Sequence, residues 1–194
     1  MRHQPSAQVL TALEDWRSEI EDNRLRLSSS SVGLSGPRRI PTQLQDLIEG
    51  IGLPVLGVGS CRLVFELERR LVLKVGFTAM GMAANRRELS AYNAVGDVFC
   101  AKVLAVEPAG LWLVQERVEV PQRLKRATWM RVLNQVQRRY GYVCFDAHSQ
   151  NFGRRPNGDL VLVDFEHVSN VPPSEWHDLP ARFATRRRRE EVAW

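Results

Sequence analysis

Asp146 and Asn151 frame the stretch Asp-Ala-His-Ser-Gln-Asn, and Asp164 ends the apolar run Leu160-Val161-Leu162-Val163. Carboxylate and amide oxygens are hard donors, the kind that hold Mg²⁺. An Asp and an Asn on one short loop, with a second Asp ending a strand, can work together on a nucleotide. The first Asp orients a hydroxyl nucleophile, while the Asn and the second Asp hold metal against the phosphates. A plainer reading stays open. Asp and Asn favour turns, and Asp146 and Asn151 would then only punctuate a loop.

Lys74 lies inside Leu71-Val72-Leu73-Lys74-Val75, an apolar strand context. A Lys on the inner face of a strand is costly unless it is paired. On an edge strand facing water it would instead guard against aggregation. Glu88 shares the apolar face of a helical pattern with Ala84, Ala91, Tyr92 and Val95. An acid on such a face wants a buried cation, and Lys74 is the natural candidate. The alternative is that Glu88 sits solvated at the edge of that face. Gly57-x-Gly59, between two strand patterns, lets a backbone bend over phosphates, or simply turns a hairpin. No Gly-x-x-x-x-Gly-Lys-Ser/Thr run occurs, which argues against a P-loop.

Taken in order, Gly57-x-Gly59, Lys74, Glu88, Asp146-x-x-x-x-Asn151 and Asp164-Phe165 resemble the protein-kinase-like superfamily over about residues 52–170. The resemblance implies an α+β, two-lobed fold. Its N-lobe is a five-stranded antiparallel sheet with a helix, and its helical C-lobe is much reduced. It implies ATP and Mg²⁺ as cofactors. Asp146 would be catalytic with Lys74, Lys74 would hold the α/β-phosphates, and Glu88 would pair with Lys74. Asn151 and Asp164 would bind the metal. Gly57 and Gly59 would cover the phosphates, Val64 would cover the adenine, and backbone groups of Glu116 and Val118 would hydrogen-bond it.

The chain departs from the family's pattern in several places. Arg62 stands where the third Gly of the loop belongs. Cys144-Phe145 replaces His-Arg before Asp146, which removes the usual dock for an activation-loop phosphate. Glu166 replaces the Gly of Asp-Phe-Gly, and Asp-Phe-Glu resembles choline kinases. Thirty residues follow Asp164, too few for the lobe that grips a peptide, a trimming similar to RIO-type atypical kinases. Phosphate transfer to protein Ser or Thr is the leading expectation. A small-molecule kinase of the choline or aminoglycoside type is the second. A kinase-fold binding or inhibitor module is the third.

The elements must position these residues. An amphipathic helix is expected over 6–27, with Ser6 as cap and Val9, Leu13, Trp16 and Ile20 on one face. It either packs on its own domain or docks a partner. Ser28–Ser31 with Gly33 and Gly36 reads as a linker. Thr42 starts a short helix that Gly52 and Pro54 stop. A strand-turn-strand is expected over 54–67 and strands over 71–75, 102–106 and 111–115, the last two joined by Glu107-Pro108-Ala109-Gly110. Helices are expected over Ala83–Val95, stopped by Gly96, and after a Thr128 cap with Gly141 at the end. The turn Arg155-Pro156-Asn157-Gly158-Asp159 makes a hairpin that returns Asp164 to Asn151. His148 either assists a substrate or is structural. The chain thus divides into an arm (1–36), an N-lobe (37–118), a reduced C-lobe (119–180) and a basic tail (181–194).

The whole composition narrows the rest. With 44% hydrophobic and 25% charged residues the chain reads as soluble and globular. No apolar run approaches a membrane span, and the N-terminus carries no signal-peptide core. Cys61, Cys100 and Cys144 read as reduced thiols of a cytoplasmic protein. The net charge of +5 is partly the Arg186–Arg189 run, which leads straight into Glu190-Glu191 and reads as a solvated tail, so a nucleic-acid partner ranks last.

Overall fold

A computed structural model describes residues 4–21, 42–144, 148–165 and 168–170. The described residues are α+β, with four α-helices and a five-stranded antiparallel sheet. The sheet strands are β1 (Val55–Val58), β2 (Arg62–Glu68), β3 (Leu71–Gly76), β4 (Val103–Val106) and β5 (Trp112–Glu116). Their order is β1-β2-β3-β5-β4.

The sheet register sorts the side chains. Val64 faces Lys74 across β2 and β3, and Lys74 faces Leu113 across β3 and β5. Directly paired residues point to one side, and alternate residues share a face. Arg62, Val64, Lys74, Leu113 and Gln115 therefore lie on one face. Leu63, Phe65, Leu73, Val75 and Val114 lie on the other.

That second face is covered by the N-terminal helices. Helix α1 (Ala7–Glu21) starts where the Val9 amide donates to Ser6 Oγ (3.4 Å). Helix α2 (Thr42–Ile51) ends at Gly52, whose φ of 66° suits glycine. Val9, Leu13, Trp16, Leu44, Leu47 and Ile51 join the sheet residues in one core. The apolar face of α1 is thus taken up by its own domain, the first of the two fates its pattern allowed. Residues 22–41, with the expected linker, lie outside the described residues.

Helix α3 (Ala79–Val95) packs against the Lys74 face of the sheet. It begins one turn earlier than the sequence suggests. Thr78 caps it, its Oγ1 accepting from the Gly81 amide, and Gly96 ends it at φ 82°. Helix α4 (Arg126–Tyr140) has Lys125, not Thr128, at its start, with no side-chain cap bond. Gly141, left-handed at φ 73°, closes it as expected. Two further pairs follow: β6 (Tyr142–Cys144) with β9 (Val168–Asn170), and β7 (Phe152–Arg154) with β8 (Leu160–Leu162). A second core joins α3 and α4 to Phe152, Leu162 and Phe165. The three cysteines are buried and form no disulfide. No helix among the described residues is long and apolar enough to cross a membrane.

Candidate functional site

The site forms where α3, the sheet and the end of β8 meet. Lys74 projects from the middle of β3 and is 6% exposed. Its Nζ donates to Glu88 Oε2 (2.8 Å) and Oε1 (3.1 Å), and to the Val163 carbonyl (2.6 Å). Glu88 is fully buried on α3. Both charges are therefore out of water, which is tolerable because each has a partner. This is the pairing the sequence called for. The edge-strand reading of Lys74 does not hold, since β3 lies between β2 and β5, and neither does a solvated Glu88, which is 0% exposed.

Asp164 arrives by the β7–β8 hairpin. Asn157-Gly158 makes the turn, with Gly158 at φ 93°. The Gly158 amide donates to the Arg155 carbonyl (2.9 Å). Back at the other end, the Val163 amide donates to the Asn151 carbonyl (2.9 Å). Asn151 and the residue before Asp164 are thus tied directly, as the hairpin reading required. Asn151 is buried, at the end of the single 3₁₀ turn Ser149–Asn151. His148, just before that turn, is exposed, and its carbonyl accepts from the Asn151 amide (3.1 Å). Asp146 lies outside the described residues, as do Phe145, Ala147 and Glu166.

The third member of the charge cluster is the residue in the third-Gly position. Arg62 is 7% exposed. Its Nη1 donates to Glu88 Oε1 (2.6 Å) and reaches Asn85 Oδ1 (3.5 Å), and its Nη2 donates to Asp164 Oδ1 (2.9 Å). Burial acts to raise the Asp164 carboxyl, but Arg62 and then Lys74 outweigh it and hold the group at about 2. Glu88 goes the other way. Its complete burial leaves it above its ordinary value despite Lys74 and Arg62.

Sequence reasoning missed Arg62 as a site residue and treated it only as a departure. A signal was present. Arg62 alternates with Val64 on β2, so it shares the face of Lys74, and two cations on one buried face need two acids. Asn85 was missed too. Fully buried, it donates to the Gly110 carbonyl (2.8 Å) and the Lys74 carbonyl (3.4 Å), which fastens α3 to β3 and to the β4–β5 turn.

The remaining candidates lie along the sheet edge and its exit. Gly57 pairs with Val64, and open space surrounds the position of a Cβ there. Gly59 donates to the Arg62 carbonyl (2.8 Å) and tightens the β1–β2 turn. Glu116 ends β5. Its carboxylate accepts from Arg155 Nε (2.8 Å) and Arg155 Nη2, and from the Lys102 amide (2.9 Å). The backbone of 117–119 then crosses to the β7–β8 hairpin, where Glu119 and Arg154 bridge. Val118 lies so close over Gly153 that a Cβ there would meet Val118 Cγ2 at 2.1 Å. Among the described residues, no group of three or more His, Cys, Asp or Glu is placed to hold a metal alone.

No protein-family model matches the chain, and no curated protein does. Solved structures are similar to it. Monomeric WbdD matches with a TM-score of 0.49 and 16% identity, over 65% of this chain and 36% of that one. The bifunctional kinase-methyltransferase WbdD matches at 0.46 and 16%, over 58% and 31%. WbdD with the kinase inhibitor LY294002 matches at 0.45 and 18%, over 63% and 34%. The chain spans about a third of the length of these structures.

Proposed function

We propose that this chain is a protein-kinase-like phosphotransferase that uses ATP and Mg²⁺ and passes phosphate to a hydroxyl, with protein Ser or Thr as the acceptor. One observation carries the reading. A Lys buried on a central strand pairs with a Glu buried on the packed helix, 2.8 Å apart, and Asp164 joins the same charge cluster. A purely structural role gives little reason to bury three charges together beside a half-exposed fourth, because apolar residues of similar size hold a core as well or better.

The residues fit the cofactors. Lys74 is a cation held in place by Glu88, the right charge for the α/β-phosphates. Asn151 and Asp164 offer hard oxygen donors, which suit Mg²⁺, and the Asn151–Val163 backbone bond holds them side by side. When bound, the metal neutralises charge that builds on the transferred phosphoryl group. Asp146 orients the acceptor hydroxyl in this scheme. Gly57 and Val64, paired across β1 and β2, would cover the nucleotide, and backbone groups at Glu116 and Val118 would hydrogen-bond the adenine.

One observation favours a second reading. Arg62 occupies Asp164 with a 2.9 Å ion pair, which suits a catalytically weak module that binds a partner. Transfer of labelled γ-phosphate from Mg-ATP separates the two. Wild type, Lys74→Ala and Asp164→Ala are compared on the protein alone, on a generic protein acceptor and on small alcohols. Label with wild type only supports the phosphotransferase and reveals the acceptor class. No label with any acceptor, beside normal nucleotide binding, selects the binding module.

A further inference from the structure

Arg62 has an unusual position for an arginine. Its backbone is fixed: the Gly59 amide donates to its carbonyl (2.8 Å), and it pairs with Gly76 on β3. Its guanidinium reaches two acids on two separate segments, Glu88 on α3 and Asp164 beyond β8. Arg62 and Lys74 balance Glu88 and Asp164 in this cluster. Glu88 is shared by both cations, but Asp164 is held by Arg62 at 2.9 Å and keeps 40% of its side-chain surface exposed. Of the two acids it is the one that solvent, and so a solute cation, can reach.

We propose that Arg62 is a built-in competitor for the metal position: its guanidinium and a divalent cation contend for the Asp164 carboxylate. The inference rests on the reading of Asp164 as a metal ligand. A cation arriving at Asp164 meets a like charge within hydrogen-bond distance of the same oxygen, and like charges in a half-buried site repel strongly. The metal binds only as Arg62 moves off. An arginine released there is suited to phosphate, which it grips bidentately. Nucleotide phosphates thus draw Arg62 away from Asp164 and admit the metal, so each ligand promotes the other.

The test is Mn²⁺ binding, read by the paramagnetic resonance of the free ion, to wild type, Arg62→Met and Arg62→Lys. Each is titrated with and without ADP. Arg62→Met keeps the length of the side chain and removes its charge. It is expected to bind Mn²⁺ alone about tenfold more tightly than wild type, a change of roughly 1.4 kcal/mol. ADP should then add little further gain. Arg62→Lys, which keeps the charge, should stay near wild type. Equal or weaker Mn²⁺ binding by Arg62→Met overturns the proposal, as does the absence of Mn²⁺ binding in all three proteins. Should Arg62→Met fail to fold, nitrogen-15 spectra of the wild-type guanidinium decide. Arg62 signals unchanged at saturating Mg²⁺ overturn the proposal, and a shift on metal binding supports it. Wild type that binds Mn²⁺ but not ADP would defeat the phosphotransferase reading and leave the competition at Asp164 to be judged by the metal titration alone.

Discussion

Asp164 and Glu88 belong to one cluster yet respond to pH in opposite senses. Asp164 is held at about 2 against an ordinary 3.8, with Arg62 the largest influence opposing burial. Its folded value lies below its unfolded one, so its contribution to stability is present above pH 3.8 and is lost as pH falls toward 2. Glu88 is raised above 4.5, so it favours the folded state as pH falls through that raised value, and its window lies above that of Asp164. Arg62→Ala releases Asp164 and raises its value. The loss of stability between pH 4 and pH 2, read as the urea midpoint, should then be shallower than in wild type. The difference will be modest, because solvent screens a carboxylate that is 40% exposed. Parallel acid limbs in the two proteins would remove Arg62 as the cause. Lys74 and Glu88 were legible in the sequence because strand and helix periodicity assign each to a face. Arg62 was harder to read: a pattern that expects glycine there directs attention to what is missing, while the arginine's own partners come from segments 26 and 102 residues away.

Helix α3 can deliver Glu88 only because three glycines let it come close. A Cβ on Gly81 would lie 2.1 Å from the Cys61 carbonyl oxygen, and one on Gly76 would lie 2.6 Å from the Met82 amide nitrogen. Gly110, at φ 86°, passes as tightly over the Met82 carbonyl. The obstructing atoms are backbone and cannot turn aside. Gly81→Ala should therefore cost about 1–3 kcal/mol by overpacking, and should also push α3 off the sheet and weaken the proposed nucleotide binding. Thr78→Ala is the control at the same helix end. It removes a cap worth about 1 kcal/mol but adds no bulk, so stability falls while the Lys74–Glu88 contact survives. Equal nucleotide affinity in the two variants would show that the close approach does not position Glu88. The helix itself was readable from Ala84, Ala91 and Val95 with Gly96 beyond. Its first turn was not, because Gly81 argues against a helix on propensity and only the Cys61–Gly76 backbone explains it. The strands were read more fully, since alternation and the β4–β5 and β7–β8 turns mark each hairpin locally.

At the scale of the molecule, the site is held between two cores, and the sheet is the wall they share. One core joins the sheet to α3, α4 and the β7–β8 hairpin, and Arg155 ties that hairpin back. It bonds Glu116, the Asp97 carbonyl (2.7 Å) and the Cys100 carbonyl (3.1 Å). The other core places α1 and α2 over Phe65, Leu73 and Val75, the residues next to Val64 and Lys74 in the chain but facing away from them. Alternation makes this coupling unavoidable. A strand that buries Lys74 on one side must bury Leu73 and Val75 on the other, and something apolar must cover them. Sequence could show that α1 had an apolar face, but not what it met, because the contact spans the residues between α1 and the sheet. If α1 is part of this wall, Leu13→Ala, at a fully buried position, should cost about 2–5 kcal/mol. Hydrogen exchange should then quicken at the amides of Leu63, Phe65 and Leu73 as well as in α1, because one core opens as a unit. Faster exchange confined to α1 would mean that the helix is an independent arm and that the sheet keeps Lys74 in place without it.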